Sequence, residues 1–346
     1  MSGERTRGRL GRAENRLRLL RAYLGGAEPG GASPPVAYIE STSRCNLACP
    51  MCARQLADER WRDEDMPVDL FARSLEALGP GCELVLPFAG GEPLLHPRIA
   101  ELVALCKASG RSTELATNAT LLDGRASRDL IRAGLDLLVV SLDAATAATY
   151  GQLRGGADHE RTCRNVMAFL RAKGELGART WVVVQMIALP ENAREMAEFR
   201  RQWGRVGGVD AVRVKADEVH TGKAGAAPRP PGSRRGPCHF LWMGPAMVRY
   251  DGAVYPCCHS WRAEPVGQIR EQGLAEIWNG PAMAAMRRAH LAGRSAELAA
   301  CRTCQAVEPR RLLAAASLLA PPGLVRRAIP TAEVANRLVG RWLIRA

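Results

Sequence analysis

The sequence predicts an α/β fold: a partial, TIM-like (β/α)6 barrel followed by a small cysteine-rich α+β domain. Three observations predict it. Short runs rich in Val, Leu and Ile alternate with helical patterns from residue 35 to 216. A stretch dense in Gly and Pro then interrupts the alternation. Beyond it, five of the eleven cysteines gather between residues 238 and 304.

Six runs read as strands: Val36–Ser41, Glu83–Ala89, Ser112–Thr117, Leu135–Ser141, Trp181–Ile187 and Ala211–Lys215. Each is apolar and bounded by Gly, Pro or Asn. Between them, Ile99, Leu102, Val103 and Cys106 share one face at helical spacing. Leu130 and Ile131 end a second helix, which Gly134 stops. Strands alternating with helices give a parallel sheet with helices outside. A closed eight-unit barrel takes about 250 residues, more than 35–216 supplies, so six units form a partial barrel. The organisation expected is a basic N-terminal extension (1–34), the barrel (35–216), a linker (217–237), the cysteine-rich domain (238–307) and a basic amphipathic tail (308–346).

The net charge of +13 sits at the ends. Residues 1–25 carry seven Arg against two Glu, and 309–346 carry seven Arg against one Glu. The body is nearly neutral, which argues against a nucleic-acid enzyme with a basic stripe on its fold. The basic ends read as solvated helix faces, with an acidic partner or a membrane surface as the sharper alternative. No secretory apolar stretch opens the chain, and no run approaches the roughly 20 apolar residues of a membrane span. A cytoplasmic location is expected.

In a reducing compartment, clustered cysteines point to metal or catalysis rather than disulfides. Cys45-Asn-Leu-Ala-Cys49-Pro-Met-Cys52 follows the first strand directly. Residues at strand carboxyl ends face the active site of a β/α barrel. Soft thiolates suit iron–sulfur clusters or zinc. A structural zinc site needs four closed ligands, whereas three from one loop leave a metal position open. The second group is Cys238, Cys257, Cys301 and Cys304, closed by a CxxC pair and able to hold zinc or an iron–sulfur cluster. Cys82, Cys106 and Cys163 read as small buried hydrophobes.

The CxxxCxxC spacing resembles the radical S-adenosylmethionine (SAM) superfamily. Further elements strengthen the resemblance. Gly90-Gly91-Glu92 ends the second strand and resembles the family's GGE element, which contacts the SAM amino group. Thr117-Asn118 ends the third, with Ala119 where the family has glycine. Ser141-Leu142-Asp143 ends the fourth and resembles a Ser-x-Asp element near the SAM ribose and carboxylate. Arg154 stands where the family often has an arginine for that carboxylate, and Met51 replaces an aromatic that packs near the adenine.

The resemblance implies a 4Fe–4S cluster on Cys45, Cys49 and Cys52. It implies SAM bound to the remaining iron and cleaved to a 5′-deoxyadenosyl radical that abstracts a substrate hydrogen atom. An external electron donor such as flavodoxin or ferredoxin is implied too. Asp251-Gly252, Pro256-Cys257, Gly267, Ile277-Trp278-Asn279 and Cys301-x-x-Cys304 resemble the SPASM/twitch extension. Its cysteines suffice for one auxiliary 4Fe–4S cluster, on Cys238, Cys257, Cys301 and Cys304, as in the twitch form of aminocyclitol dehydrogenases. Cys258 is extra: a filler, or a hydrogen-atom donor to a substrate radical. The expected reaction is oxidation or epimerisation of a sugar- or aminocyclitol-like small molecule. A peptide maturase is the alternative, and a non-catalytic iron–sulfur or zinc electron carrier the alternative from another class.

Overall fold

The computed structural model describes residues 2–52, 54, 62–216, 236–260, 263–302, 304 and 311–328. A long helix, α1 (Ser2–Gly25), leads into the barrel. All six expected strands form: β1 (Val36–Ile39), β2 (Leu84–Leu86), β3 (Ser112–Thr117), β4 (Leu137–Ser141), β5 (Trp181–Ala188) and β6 (Ala211–Ala216). They pair in parallel in sequential order. Helices α2 (Val68–Ala77), α3 (Ile99–Ala108), α4 (Gly124–Arg132), α5 (Ala147–Leu153), α6 (His159–Glu175) and α7 (Met196–Gly204) connect them. Gly134 takes the left-handed conformation just past α4, φ +87°, as a helix stop requires.

Strand alternation divides the apolar residues between two faces. Val85, Leu115, Leu138, Val140, Val182 and Val184 belong to the main core. Leu137, Val139 and Val183 form a separate cluster with Ala116, Trp181 and Ala211 on the opposite face, inside the barrel.

The C-terminal module contains α8 (Phe240–Met243), β7 (Ala246–Val248), β8 (Ala253–Tyr255), β9 (Gly267–Gln268), α9 (Leu274–Trp278), α10 (Pro281–Leu291) and α11 (Ala299–Arg302). It is not a separate sheet. β7 pairs in parallel with β1, and β8 and β9 follow antiparallel, giving one nine-stranded sheet. Of the expected linker, residues 217–235 lie outside the described residues, as does the tail beyond 328.

Arg287 organises this module. Its side chain is fully buried. Nε donates to the Leu241 carbonyl at 2.8 Å, Nη2 to Trp278 O at 2.7 Å and Nη1 to Glu28 Oε2 at 2.7 Å. The guanidinium lies 5.5 Å from the Trp278 ring centroid. Arg287→Leu strands two buried carbonyls, each worth about 1–3 kcal/mol. A stability loss of about 3 kcal/mol is expected in reversible denaturant unfolding, with Arg287→Lys intermediate.

The basic ends do more than face solvent. α1 buries Leu19, Ala22 and Tyr23. Arg16 pairs with Glu83 and donates to Leu318 O at 3.1 Å. At the amino-terminal ends of the strands, Arg326 Nε meets the buried Glu114 Oε2 at 2.6 Å, and Arg327 lies over the Trp181 ring at 5.6 Å. For Arg16 and Arg326 the solvated-face expectation is therefore corrected, because each neutralises a carboxylate of the barrel, Glu83 just before β2 and Glu114 on β3. Among the described residues no helix is long and apolar enough to cross a membrane.

Candidate metal and cofactor site

The loop after β1 carries Cys45, Cys49 and Cys52, as expected. Cys49 is buried with Leu47, Met51, Leu153 and Leu189, and Cys45 and Cys52 pack against the same cluster. Met51 is thus part of the loop's own apolar seat. Burial pushes the Cys45 thiol up to about 11, and Glu92, Cys49 and Cys52 add to the rise. A metal binding the Cys45 thiolate must displace that proton, so metal loading there releases protons.

Three interactions fix the loop. Arg44 forms a two-pronged bond to Asp65 (3.0 and 2.5 Å) and donates to Leu95 O at 2.8 Å. Asn46 donates to Thr120 Oγ1 at 2.8 Å and accepts from Asn118 Nδ2 at 3.0 Å. The Gly-Gly-Glu segment lies directly on the loop, where Glu92 N–H donates to Arg44 O at 2.7 Å. A Cβ on Gly91 would sit 2.2 Å from Thr42 O and 2.6 Å from Arg44 O. Only glycine allows that approach.

Glu92 is buried and is more a brace than the sequence suggests. Oε1 accepts from Leu94 N–H (3.1 Å) and Thr117 Oγ1 (2.6 Å), and Oε2 accepts from Asn118 N–H (2.8 Å). A carboxylate has about four acceptor positions, so room for one further donor remains. Burial raises its pKa against those three bonds. Ala119 adopts φ +59°. The left-handed path is therefore kept without glycine, and Ala119 bears its cost.

Asp143 and Arg154 meet. Arg154 Nη2 donates to Asp143 Oδ2 at 2.5 Å, and Nη1 donates to Cys49 Sγ at 3.8 Å. Burial works to lower the arginine's pKa, but Asp143 and Cys49 outweigh it and raise it. Asp143, itself at φ +64°, is held by Ile187 N–H on Oδ1 (2.7 Å) and by Asn192 Nδ2 on its carbonyl (2.8 Å). Arg154 Nε is buried and, among the described residues, has no hydrogen-bond partner, an unmet donor beside the cysteine loop. Ser141 ends β4 in the same layer. Soft thiols, one spare carboxylate position and one unmet guanidinium donor suit a thiolate-held iron–sulfur cluster with an amino-acid-like ligand on it.

The structure brings the second cysteine group together. Cys238, Cys257, Cys301 and Cys304 line one cavity, together with His259 and His290. Burial pushes the Cys257 thiol up to about 11 and, helped by His259, the His239 ring down to about 4. Cys258 is not on this cavity. It lies close enough to Arg326 to help hold that guanidinium protonated, after Glu114 and Tyr38 and against burial. Among the described residues no three His, Cys, Asp or Glu side chains converge on a single-ion cage.

Sequence reasoning missed four residues. Arg44 and Asn46 sit beside or between the cysteines, whose spacing is the stronger signal. Glu40 is fully buried at the end of β1; its Oε1 accepts from Gly90 N–H at 3.0 Å and its Oε2 from Arg249 Nε at 2.5 Å. It thereby ties the Gly-Gly-Glu segment to the C-terminal module. A lone acid in an apolar strand was the available signal. His290, in the last turn of α10, gave none.

Residues 39–202 match the radical SAM superfamily, and residues 238–305 match SPASM, an iron–sulfur cluster-binding domain. The chain is 29% identical over 292 residues to a tungsten-containing aldehyde ferredoxin oxidoreductase cofactor-modifying protein of Pyrococcus furiosus, covering 70% of this chain and 80% of that one. It is 29% identical over 282 residues to the PqqA peptide cyclase of Gluconobacter oxydans, covering 71% and 77%. Among solved structures, Streptococcus suis SuiB bound to the precursor peptide SuiA superposes with a TM-score of 0.57 at 16% identity, over 74% of this chain and 67% of that one.

Proposed function

Since this chain is a radical SAM enzyme with a C-terminal SPASM domain, using a 4Fe–4S cluster, SAM and auxiliary iron–sulfur chemistry, we propose that it modifies a peptide by hydrogen-atom abstraction. One observation carries the substrate class: the similarity to a peptide cyclase covers 71% of this chain and 77% of that enzyme. The sugar- or aminocyclitol-like substrate expected from the sequence rested chiefly on the resemblance of the four-cysteine set to the twitch form and is the weaker reading.

The residue roles follow from chemistry. Cys45, Cys49 and Cys52 would hold the first cluster, leaving one iron for SAM. When bound, the cluster and SAM supply one-electron cleavage of the sulfonium and abstraction of a substrate hydrogen atom. Gly91 lets its segment lie on the backbone of the cysteine loop, and Gly90 N–H is held by Glu40, so the pair would set this strand end against the ligand. Glu92, with one acceptor position left, would take an ammonium proton. Arg154 Nε would meet a carboxylate while Asp143 keeps the guanidinium in place. Asn118 and Ser141 line the same strand-end layer, and Met51 backs it. Leu47, Leu153 and Leu189 exclude water from the thiolates. Cys238, Cys257, Cys301 and Cys304 would hold the auxiliary cluster with no open iron.

Cys258, outside that ligand set, is the candidate hydrogen donor to a substrate radical. Cys258→Ala is then expected to go on making 5′-deoxyadenosine while losing an epimerised product. Full turnover with unchanged product rules the role out.

The substrate reading is tested by anaerobic incubation of the reconstituted enzyme with SAM, reductant and peptides encoded beside its gene, read by peptide mass spectrometry. A SAM-dependent mass or stereochemical change in a peptide is expected. Turnover of a sugar or aminocyclitol, with every such peptide unchanged, overturns it.

A further inference from the structure

We propose that His290 is a positioning residue for the auxiliary cluster, donating a hydrogen bond to the Cys301 thiolate that raises the cluster's reduction potential. The inference rests on the reading above that Cys238, Cys257, Cys301 and Cys304 hold that cluster.

The two ring nitrogens are used in opposite senses. The Cys238 backbone N–H points at Nδ1, 3.4 Å away, and Nε2 lies 3.4 Å from Cys301 Sγ. A nitrogen that accepts carries no proton, so the neutral ring keeps its proton on Nε2. Nε2–H then donates to sulfur, and one side chain links the first and third cysteines of the set.

The ring's aim is built in. His290 is buried and sits one helical turn beyond Arg287 on α10. Arg287, gripped by the carbonyls of Leu241 and Trp278, fixes the rotation of that helix. The cavity wall is otherwise largely apolar, with Phe240, Leu241, Met286 and Ala300. In such surroundings a hydrogen bond acts more strongly than in water. Reduction adds negative charge that thiolate sulfur shares, and a donor on that sulfur stabilises the reduced form. The first site has a counterpart in Arg154 and Cys49, at 3.8 Å.

The test is a redox titration of the reconstituted full-length enzyme followed by electron paramagnetic resonance of the auxiliary cluster. His290→Phe fills the space but donates nothing, and His290→Gln restores an N–H near the Nε2 position. With iron content equal to wild type, Phe is expected to shift the one-electron equilibrium about tenfold toward the oxidised cluster, a fall of about 59 mV, and Gln to recover most of it. An unshifted potential in Phe overturns the proposal. Loss of auxiliary iron in both variants also overturns it, since His290 would then be a ligand or a purely structural residue.

Wild-type holoenzyme labelled with ¹⁵N-histidine gives a reading free of folding effects. A weak nitrogen coupling to the reduced auxiliary cluster is expected; a strong, ligand-type coupling or none contradicts the proposal. A protein that takes up only one cluster would instead defeat the underlying assignment of the four cysteines, which separates the two failures.

Discussion

Replacing Cys45, Cys49 and Cys52 together by alanine is expected to lower the iron content from about eight to about four per chain and to abolish 5′-deoxyadenosine formation. The auxiliary cluster should survive, because the four cysteines proposed to hold it line a cavity of their own in the C-terminal module. The fold should survive too: the loop belongs to a small satellite cluster, while the main core spans the barrel helices and strands. Iron analysis and product chromatography check this directly. Retained 5′-deoxyadenosine would show that the cleavage centre lies elsewhere. Complete loss of iron would show that the two sites do not load independently.

Gly91→Ala should be nearly as damaging, although it removes no ligand. The added methyl would lie 2.2 Å from Thr42 O and 2.6 Å from Arg44 O. Both obstacles are backbone, so no side chain can swing away. Either the Gly-Gly-Glu segment or the cysteine loop must move. Overpacking typically costs 1–3 kcal/mol, and a clash with main chain belongs at about 3. Displacing a positioned group by about 1 Å can cost about 100-fold in rate, and a loss of that order in kcat/KM for SAM cleavage is expected. Gly151→Ala is the control. It sits in α5 with nothing within 4 Å of its would-be Cβ, so near-neutral behaviour is expected. Equal effects from the two substitutions would mean that the close approach does not matter.

Much of the fold was legible because strands buried on both faces read as short, nearly continuous apolar runs. The span Ser112–Thr117 is matched residue for residue, and the other strands differ only by a few residues at their ends. The strand-end motifs were legible because each is a short contiguous segment. What escaped notice was long-range. Nothing local to Val36–Ile39 reveals that β7 will pair beside it, or that Glu40 will meet Arg249 across 209 positions. His290 and Cys301 lie eleven residues apart on two different helices, so neither helix pattern announces their contact. Glu92 shows the same limit from another side. Its motif suggested a ligand contact, but most of its acceptor capacity goes to Leu94, Thr117 and Asn118. In the sequence Arg326 looks like a tail charge, because its partner, Glu114, sits on a distant strand.

The central claim is that one chain carries an open, SAM-cleaving cluster and a closed auxiliary one. Anaerobic reconstitution with iron and sulfide, followed by reduction with dithionite in the presence of SAM, tests it most directly. About eight irons per chain and reductant-dependent 5′-deoxyadenosine are the predicted result. A fully iron-loaded protein that forms no 5′-deoxyadenosine would contradict it, as would about four irons with one zinc, which would make the second site structural.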